Sequence, residues 1–223
     1  MAFTEEQTDD VLYAARAGDV EALQEIFSQL KDDSKCSVLH ITNDQKNTPL
    51  HFAAANGHID IVKMLLSEAD LDGLLSQNTA GNTPLHWAAL NGHLDVATAI
   101  VDRIEALELS QPEQAKKQRA AEDQRERQRH DATRVQGQSE EEIQQEHNRH
   151  QELQKDRALW DIRNEAGRGP MSEAQMIDRE DLVQMLLGRL AQHDKQTIAE
   201  SQEASSSSSV EQINTKTEQL NVS

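Results

Sequence analysis

Of the chain's 223 residues one is cysteine, four are proline and 3% are aromatic. The single cysteine, Cys36, cannot close an internal disulfide. That excludes a disulfide-stapled secreted domain and favours a reducing compartment. Nothing in the sequence pairs with Cys36 as nucleophile and base, so it reads as a thiol near a loop. Basic residues are also short, at 22 against 40 acidic ones, for a net charge of -18. This balance argues against gripping a phosphate backbone and, for a charged partner, favours a basic one. No apolar run approaches the ~20 residues of a membrane helix. The start, Met-Ala-Phe-Thr-Glu-Glu, lacks the basic patch and apolar run of a secretory signal. A hydrophobic fraction of 36% and a mean hydropathy of -0.76 are low for one core spanning the whole length.

The charge is uneven. Residues 1–105 carry 6 basic and 17 acidic side chains, and residues 158–223 carry 6 and 11. Residues 106–157 carry 10 and 12, so the middle is dense in charge but nearly neutral. The chain is at least three things in series.

Two stretches repeat. Residues 48–66 read Thr-Pro-Leu-His-Phe-Ala-Ala-Ala-Asn-Gly-His and continue Ile-Asp-Ile-Val-Lys-Met-Leu-Leu. Residues 83–101 read Thr-Pro-Leu-His-Trp-Ala-Ala-Leu-Asn-Gly-His and continue Leu-Asp-Val-Ala-Thr-Ala-Ile-Val. The pattern resembles the ankyrin repeat, whose signature is Thr-Pro-Leu-His-x-Ala. Thr48 and Thr83 are placed as N-caps, and Pro49 and Pro84 suit a first helical turn. Gly57 and Gly92 are expected to end the first helix in a left-handed conformation. Alanines 53, 54, 88 and 89 let two short helices approach closely. Ile61, Val62, Leu65 and Leu66 form the packing face of a second helix. Asn43 and Asn78, five residues before each threonine, are expected to organise the connecting turn through Asx bonds. His51 and His86 invite a catalytic or metal reading, but in this motif the histidine ties a turn by hydrogen bonds.

Two repeats are too few for a stable solenoid. A degenerate copy lies in front, Asp10 to Phe27, with Gly18 in place of Gly57. Another lies downstream, where Asn164-Glu-Ala-Gly-Arg-Gly-Pro-Met171 parallels Asn78-Thr-Ala-Gly-Asn-Thr-Pro-Leu85. There Gly169 replaces the threonine, Ser172 the histidine and Asp178 the glycine. The expected units are 10–30, 43–73, 78–105 and 160–191. The fold class is therefore an all-α repeat solenoid of ankyrin type, helix-turn-helix plus hairpin loop. The domains are 1–105, three repeats with the first as cap; 106–157, a charged insertion; 158–191, a terminal repeat; and 192–223, a tail.

The insertion is rich in Gln, Glu, Arg and Lys, which are good helix formers. Leu107, Leu109, Val135, Ile143 and Leu153 are too sparse to sustain a heptad. A partly helical or disordered segment is expected, broken near Gly137 and Ser139. Lys116, Lys117, Arg119, Arg125, Arg127 and Arg129 alternate with acids and read as a solvated helix face rather than a nucleic-acid site. The tail, with serines 205–209, reads as disordered. Ser208 lies three residues before Glu211, a weak acidic phosphorylation context, and residues 210–222 space Ile213, Leu220 and Val222 as a short docking helix would.

Aligned on positions 18, 57, 92 and 178, the residues five earlier are Tyr13, Phe52, Trp87 and Glu173. One and two before stand Arg16 with Ala17, Ala55 with Asn56, Leu90 with Asn91, and Met176 with Ile177. If exposed, these aromatics are rigid anchors for a partner; the competing reading is that they only shield the short helices. Asp10, Asp44, Asp60 and Asp95 would form an acidic rim that steers a basic ligand. A basic amphipathic helix fits such a groove. The expected protein-binding residues are Tyr13, Arg16, Asp44, Phe52, Asn56, Trp87, Leu90 and Asn91.

With its front cap the chain resembles the family of fungal ankyrin-repeat chaperones of a small-subunit ribosomal protein, the KH-domain protein number three. The resemblance rests on Ala15-Arg-Ala-Gly-Asp-Val20, Ala53-Ala-Ala-Asn-Gly-His-Ile-Asp60, Gly81 to Gly92 and Glu218-Gln-Leu-Asn-Val222. It implies binding of the partner's basic N-terminal segment, protection from misplaced RNA contacts, and escort from cytoplasm to nucleus. It carries Tyr13, Phe52, Trp87 and Leu90 over as groove residues. The long insertion departs from the family. A phosphate loop, a spaced Cys/His metal set and a nucleophile–histidine–acid arrangement are lacking. No enzyme activity, cofactor, metal, membrane contact or direct nucleic-acid binding is therefore expected, and the chain is expected to be a monomer. A general adaptor for signalling or transcription, or a function carried by the insertion as a helical arm, remain as alternatives.

Overall fold

The computed structural model describes residues 3–132 and 157–193. Among them there are helices and turns and no strand. In chain order these are α1 (Glu5–Ala17), α2 (Val20–Gln29), α3 (Asp32–Lys35) and a 3-10 turn, Cys36–His40. Then follow α4 (Pro49–Asn56), α5 (Ile59–Ser67), α6 (Leu71–Leu74), α7 (Pro84–Asn91), α8 (Leu94–Ser110) and α9 (Pro112–Ala132). The last two are α10 (Pro170–Met176) and α11 (180–193). Four helix pairs result: α1–α2, α4–α5, α7–α8 and α10–α11. The first helices stack in one row, α1 on α4 on α7 on α10, and α2, α5 and α8 stack in a second.

The local chemistry follows the residues. Thr48 caps α4 by accepting from the His51 N–H at 3.3 Å, and Pro49 and Pro84 open their helices where an N–H has no intrahelical acceptor. Gly57 and Gly92 end α4 and α7 with φ of 72° and 73°. Asp178 takes the same left-handed conformation after α10, with φ of 55°. These glycines are required twice over. A Cβ on Gly57 would come within 2.6 Å of the His93 ring, and one on Gly18 within 2.8 Å of the His58 ring. Each of these rings tucks under the preceding repeat. His58 Nε2 donates to the Arg16 carbonyl at 3.0 Å, and His93 Nε2 to the Ala55 carbonyl at 3.2 Å. They close off the C-terminal carbonyls of α1 and α4, which have no acceptor role left inside the helix.

One continuous core runs between the two rows. Ala53, Ala54, Ala88 and Ala89 are fully buried, so the first helices approach almost backbone to backbone. Ile61, Val62, Leu65 and Leu66 of α5 and Val96, Ala97, Ile100 and Val101 of α8 fill the space beneath. The apolar spacing read from the sequence is thus the packing face.

The structure differs from the expectations at both ends of the solenoid. The first unit starts before Asp10: Thr4 and Gln7 form a reciprocal capping box, with Oγ1 accepting at 3.2 Å and Oε1 at 3.0 Å. Downstream, α8 runs past residue 105 to Ser110 and buries Leu107. The solvated face expected of α9 holds for Lys116, Lys117 and Arg125, which are exposed, but not for Arg119 and Arg129. Ala115 is buried against the solenoid, and Glu122 and Glu126 are buried with it. Arg119 pairs with Glu108. Glu122 pairs with Arg129 at 3.0 Å and Arg125 at 3.2 Å, and Glu126 with Arg157 at 2.8 Å. Arg129 also donates to the backbone carbonyls of Arg163 and Asn164 at 2.7 and 2.6 Å. The helix thus clamps the hairpin that opens the fourth unit. Burial pushes the Glu122 carboxyl above its ordinary range, with Arg129 and Arg125 opposing. Trp160 is fully buried and donates from Nε1 to Glu105 at 3.3 Å. Residues 133–156 and 194–223, with the Gly137 and Ser139 break, serines 205–209 and the proposed terminal helix, lie outside the described residues.

Candidate protein-binding face

The hairpins between units position the rim. Asn43 Oδ1 accepts from the backbone N–H of Gln45 at 3.0 Å and Asn47 at 2.9 Å. Asn78 repeats this with Ala80 and Asn82, both at 3.0 Å. Asn164 repeats it with Ala166 at 3.1 Å and Arg168 at 3.0 Å. The Asx turns expected at Asn43 and Asn78 are present, and the fourth unit has one too. The turns are also joined to one another. Thr79 N–H donates to Gln45 O at 2.9 Å, and Glu165 N–H to Ala80 O at 3.0 Å. Asn78 Nδ2 donates to Asn47 Oδ1, and Asn164 Nδ2 to Asn82 Oδ1, each at 2.8 Å.

His51 and His86 lock these turns to the helices. Thr48 N–H donates to His51 Nδ1 at 3.1 Å, which places the ring proton on Nε2. That Nε2 donates to the Asn82 carbonyl of the next unit at 2.9 Å. His86 does the same between Thr83 N–H at 3.1 Å and the Arg168 carbonyl at 3.0 Å. In the last unit Ser172 stands at the histidine's position.

Both rings must be neutral to accept from a threonine N–H. Burial lowers each histidine from its usual 6.5 to about 4. A folded pKa below the unfolded one gives stability that is whole above pH 6.5 and is lost as pH falls towards 4. Between pH 7 and pH 5 urea unfolding should therefore show a loss of about 2 kcal/mol per histidine. His51→Gln should roughly halve that slope; a stability flat across this range would refute the assignment.

The stacked first helices bring equivalent positions onto one face. Tyr13 of α1 is 72% exposed and Leu90 of α7 is 38% exposed. Met176 of α10 is 62% exposed and Ile177 follows it at 38%. Among the described residues these are four of the six exposed large apolar side chains, the others being Leu109 and Leu187. Phe52 and Trp87 are half-buried between them. The Arg16 guanidinium lies over the Phe52 ring, 6.0 Å from its centre. Trp87 Nε1 is buried and has no acceptor among the described residues. Asn56 and Asn91 are exposed, yet each donates from Nδ2 to its own helix, to Phe52 O at 2.8 Å and Trp87 O at 2.9 Å. One Nδ2 proton and the side-chain carbonyl of each are left for a partner. Asp44 is exposed at the tip of the hairpin before α4, and Asp10, Asp60 and Asp95 are exposed along the helices. The fourth position of the aromatic column differs. Glu173 is only 3% exposed and turns inward, where Oε1 accepts from Asn164 Nδ2 and Arg168 Nε, both at 2.9 Å. The apolar face is continued there by Met176 and Ile177 instead.

Cys36 lies in the connection after the first unit, as a thiol near a loop, with two polar groups beside it. His40 Nε2 stands 4.0 Å from its sulfur, and the same nitrogen is 3.2 Å from Asp70 Oδ2. Burial, with Asp70 beside it, pushes the thiol up to about 11, so it is no nucleophile at neutral pH.

Residues 11–109 match the family described as ankyrin repeats in three copies. The ankyrin repeat-containing protein YAR1 of Saccharomyces cerevisiae is 40% identical over 62 residues, 28% of this chain and 30% of that one. The ankyrin repeat-containing protein P16F5.05c of Schizosaccharomyces pombe is 38% identical over 58 residues, 26% of this chain and 36% of that one. The chain thus spans about a third of the length of the curated relatives it matches. A chain in the crystal structure of the yeast ribosomal protein Rps3 in complex with its chaperone Yar1 shares the fold with a TM-score of 0.55. It is 25% identical, and the match covers 84% of this chain and 95% of that chain. The fold is that of an all-helical ankyrin-repeat solenoid, and over 62 residues the sequence is similar to YAR1 of budding yeast.

Proposed function

We propose that this protein is a stoichiometric chaperone of a small-subunit ribosomal protein of the Rps3 type, and that it holds the partner's basic N-terminal segment. The observation that carries the reading is the likeness, over 84% of the chain, to one chain of the crystal structure of Rps3 with its chaperone Yar1. The physical features are consistent with it. Residues 1–105 carry an excess of 11 acidic side chains, and the first-helix row offers exposed apolar side chains. A free ribosomal protein exposes positive charge that pairs with any RNA. An acidic face satisfies that charge reversibly, and the denser charge of rRNA displaces it during assembly.

The work is binding rather than catalysis. His51 and His86 are held neutral inside the fold, and Cys36 is held as a thiol. We extend the proposal to a monomeric chaperone, acting without cofactor, that accompanies its partner from cytoplasm to nucleus. The test is purification of the tagged full chain from its own cells, with mass spectrometry of what comes with it. The Rps3-type protein should dominate in near-equal amount. A signalling or transcription factor in its place would establish a general adaptor instead.

A further inference from the structure

We propose that Cys36, His40 and Asp70 form a binding site for a divalent transition-metal ion, with zinc as the first candidate. The site is independent of the chaperone reading. It is built where two inter-repeat connections meet, whereas the binding face comes from the first helices and hairpin tips. Cys36 and His40 stand four residues apart on the 3-10 turn between the first and second units. Asp70 caps α6 between the second and third.

Three observations support a metal over other uses of these groups. The sulfur, the imidazole nitrogen and a carboxylate oxygen converge, all within 4.8 Å of one another. A tetrahedral zinc with bonds of about 2.3 Å to sulfur and about 2.1 Å to nitrogen and oxygen sets ligand atoms about 3.4–3.6 Å apart. Two of the three separations, 4.0 Å for sulfur to nitrogen and 3.2 Å for nitrogen to oxygen, fall within about half an ångström of those edges, and the sulfur-to-oxygen edge is no longer than 4.8 Å. Second, both contacts of the histidine fall on one nitrogen, Nε2. A catalytic relay needs its acid and its nucleophile on opposite ring nitrogens, whereas ligand atoms gathered around one nitrogen suit a cation. Third, the carboxylate is already oriented. Asp70 Oδ1 accepts from the Gly73 N–H at 2.8 Å, which leaves Oδ2 for the metal.

The donor set also fixes the metal class. Thiolate and imidazole exclude magnesium and calcium, which take oxygen ligands, and suit zinc or its neighbours. On binding, the thiol gives up its proton to solvent and a sulfur–metal bond forms. One thiolate and one carboxylate then balance the ion's charge, and the fourth position is open to water. The bound ion would staple the connection after the first repeat to the connection after the second.

The test is titration of the reduced, metal-free full chain with cobalt(II), followed by zinc. We expect a near-ultraviolet thiolate-to-cobalt band that saturates at one metal per chain and is chased by zinc but not by excess magnesium. Cys36→Ser should abolish the band. His40→Gln and Asp70→Asn should each weaken binding by at least the about 10–100-fold typical of losing an outer-shell partner. Asp70→Asn keeps a capping oxygen, and circular dichroism checks that each variant is folded. Absence of a thiolate band, or an affinity unchanged in His40→Gln and Asp70→Asn, would overturn the site.

Discussion

Replacing Trp87 with alanine, alone and together with Phe52→Ala, should weaken partner binding strongly while the solenoid stays folded. Aromatic anchors at the centre of an interface cost about 2 kcal/mol or more when truncated, which is about thirtyfold in Kd for each. Both side chains are half-buried, so part of each ring is available to a partner and part supports its helix. The stability cost at Trp87 comes from packing, because among the described residues its indole N–H makes no bond that truncation could break. The flanking Tyr13, Leu90 and Met176 enlarge the same apolar face, and Arg16 covers one side of Phe52. Calorimetry against the partner's basic segment measures the effect, with circular dichroism as the control for folding. An affinity within about threefold of the parent for the double variant would remove this face from the interface.

The second large effect is on the fourth unit. Arg129→Leu should destabilise it by about 2 kcal/mol. Breaking a buried pair costs about 3–5 kcal/mol when a charge is left uncompensated. The estimate is lower here because Arg125 still faces Glu122 at 3.2 Å. The substitution also frees the carbonyls of Arg163 and Asn164, at the start of the Asx turn that joins the third unit to the fourth. Hydrogen exchange at Ala166 and Arg168, whose N–H groups bond Asn164, should rise first. Arg125→Leu is the control. Its side chain is half exposed, and such pairs contribute about 1 kcal/mol or less. Equal protection in the parent and in Arg129→Leu would show that α9 does not hold this hairpin.

These two regions mark what could be read in the residues. The paired units were legible because Thr-Pro-Leu-His and Asn-Gly carry local chemistry that acts within a few residues: a cap, a turn, a left-handed stop. The inward roles of Asn43, Asn78, His51 and His86 followed for the same reason. Some local signals were present and went unused. Thr4-x-x-Gln7 is a capping box that places the start of α1, and the histidine after Gly57 recurs after Gly92. That recurrence marks a ring reaching back to the preceding unit. The remainder depended on long-range encounters with no local signature. Glu173 replaces an aromatic in sequence register, but it turns inward because Asn164 and Arg168 offer it bonds. Arg129 looks like any solvated arginine until the carbonyls of Arg163 and Asn164 are placed beside it. Cys36 and His40 are local neighbours, yet only the fold brings Asp70 to them. On the candidate binding face, equivalent positions in the first helices were legible from the repeat, and the exposure of each was set by packing.

The measurement closest to the central proposal is a calorimetric titration of the full chain with the basic N-terminal segment of its own Rps3-type protein across a salt series. The account predicts one segment bound per chain, with an affinity that falls steadily as salt rises, because the partner's positive charge is held by acidic side chains. No binding at low salt, or an affinity indifferent to salt, would contradict it.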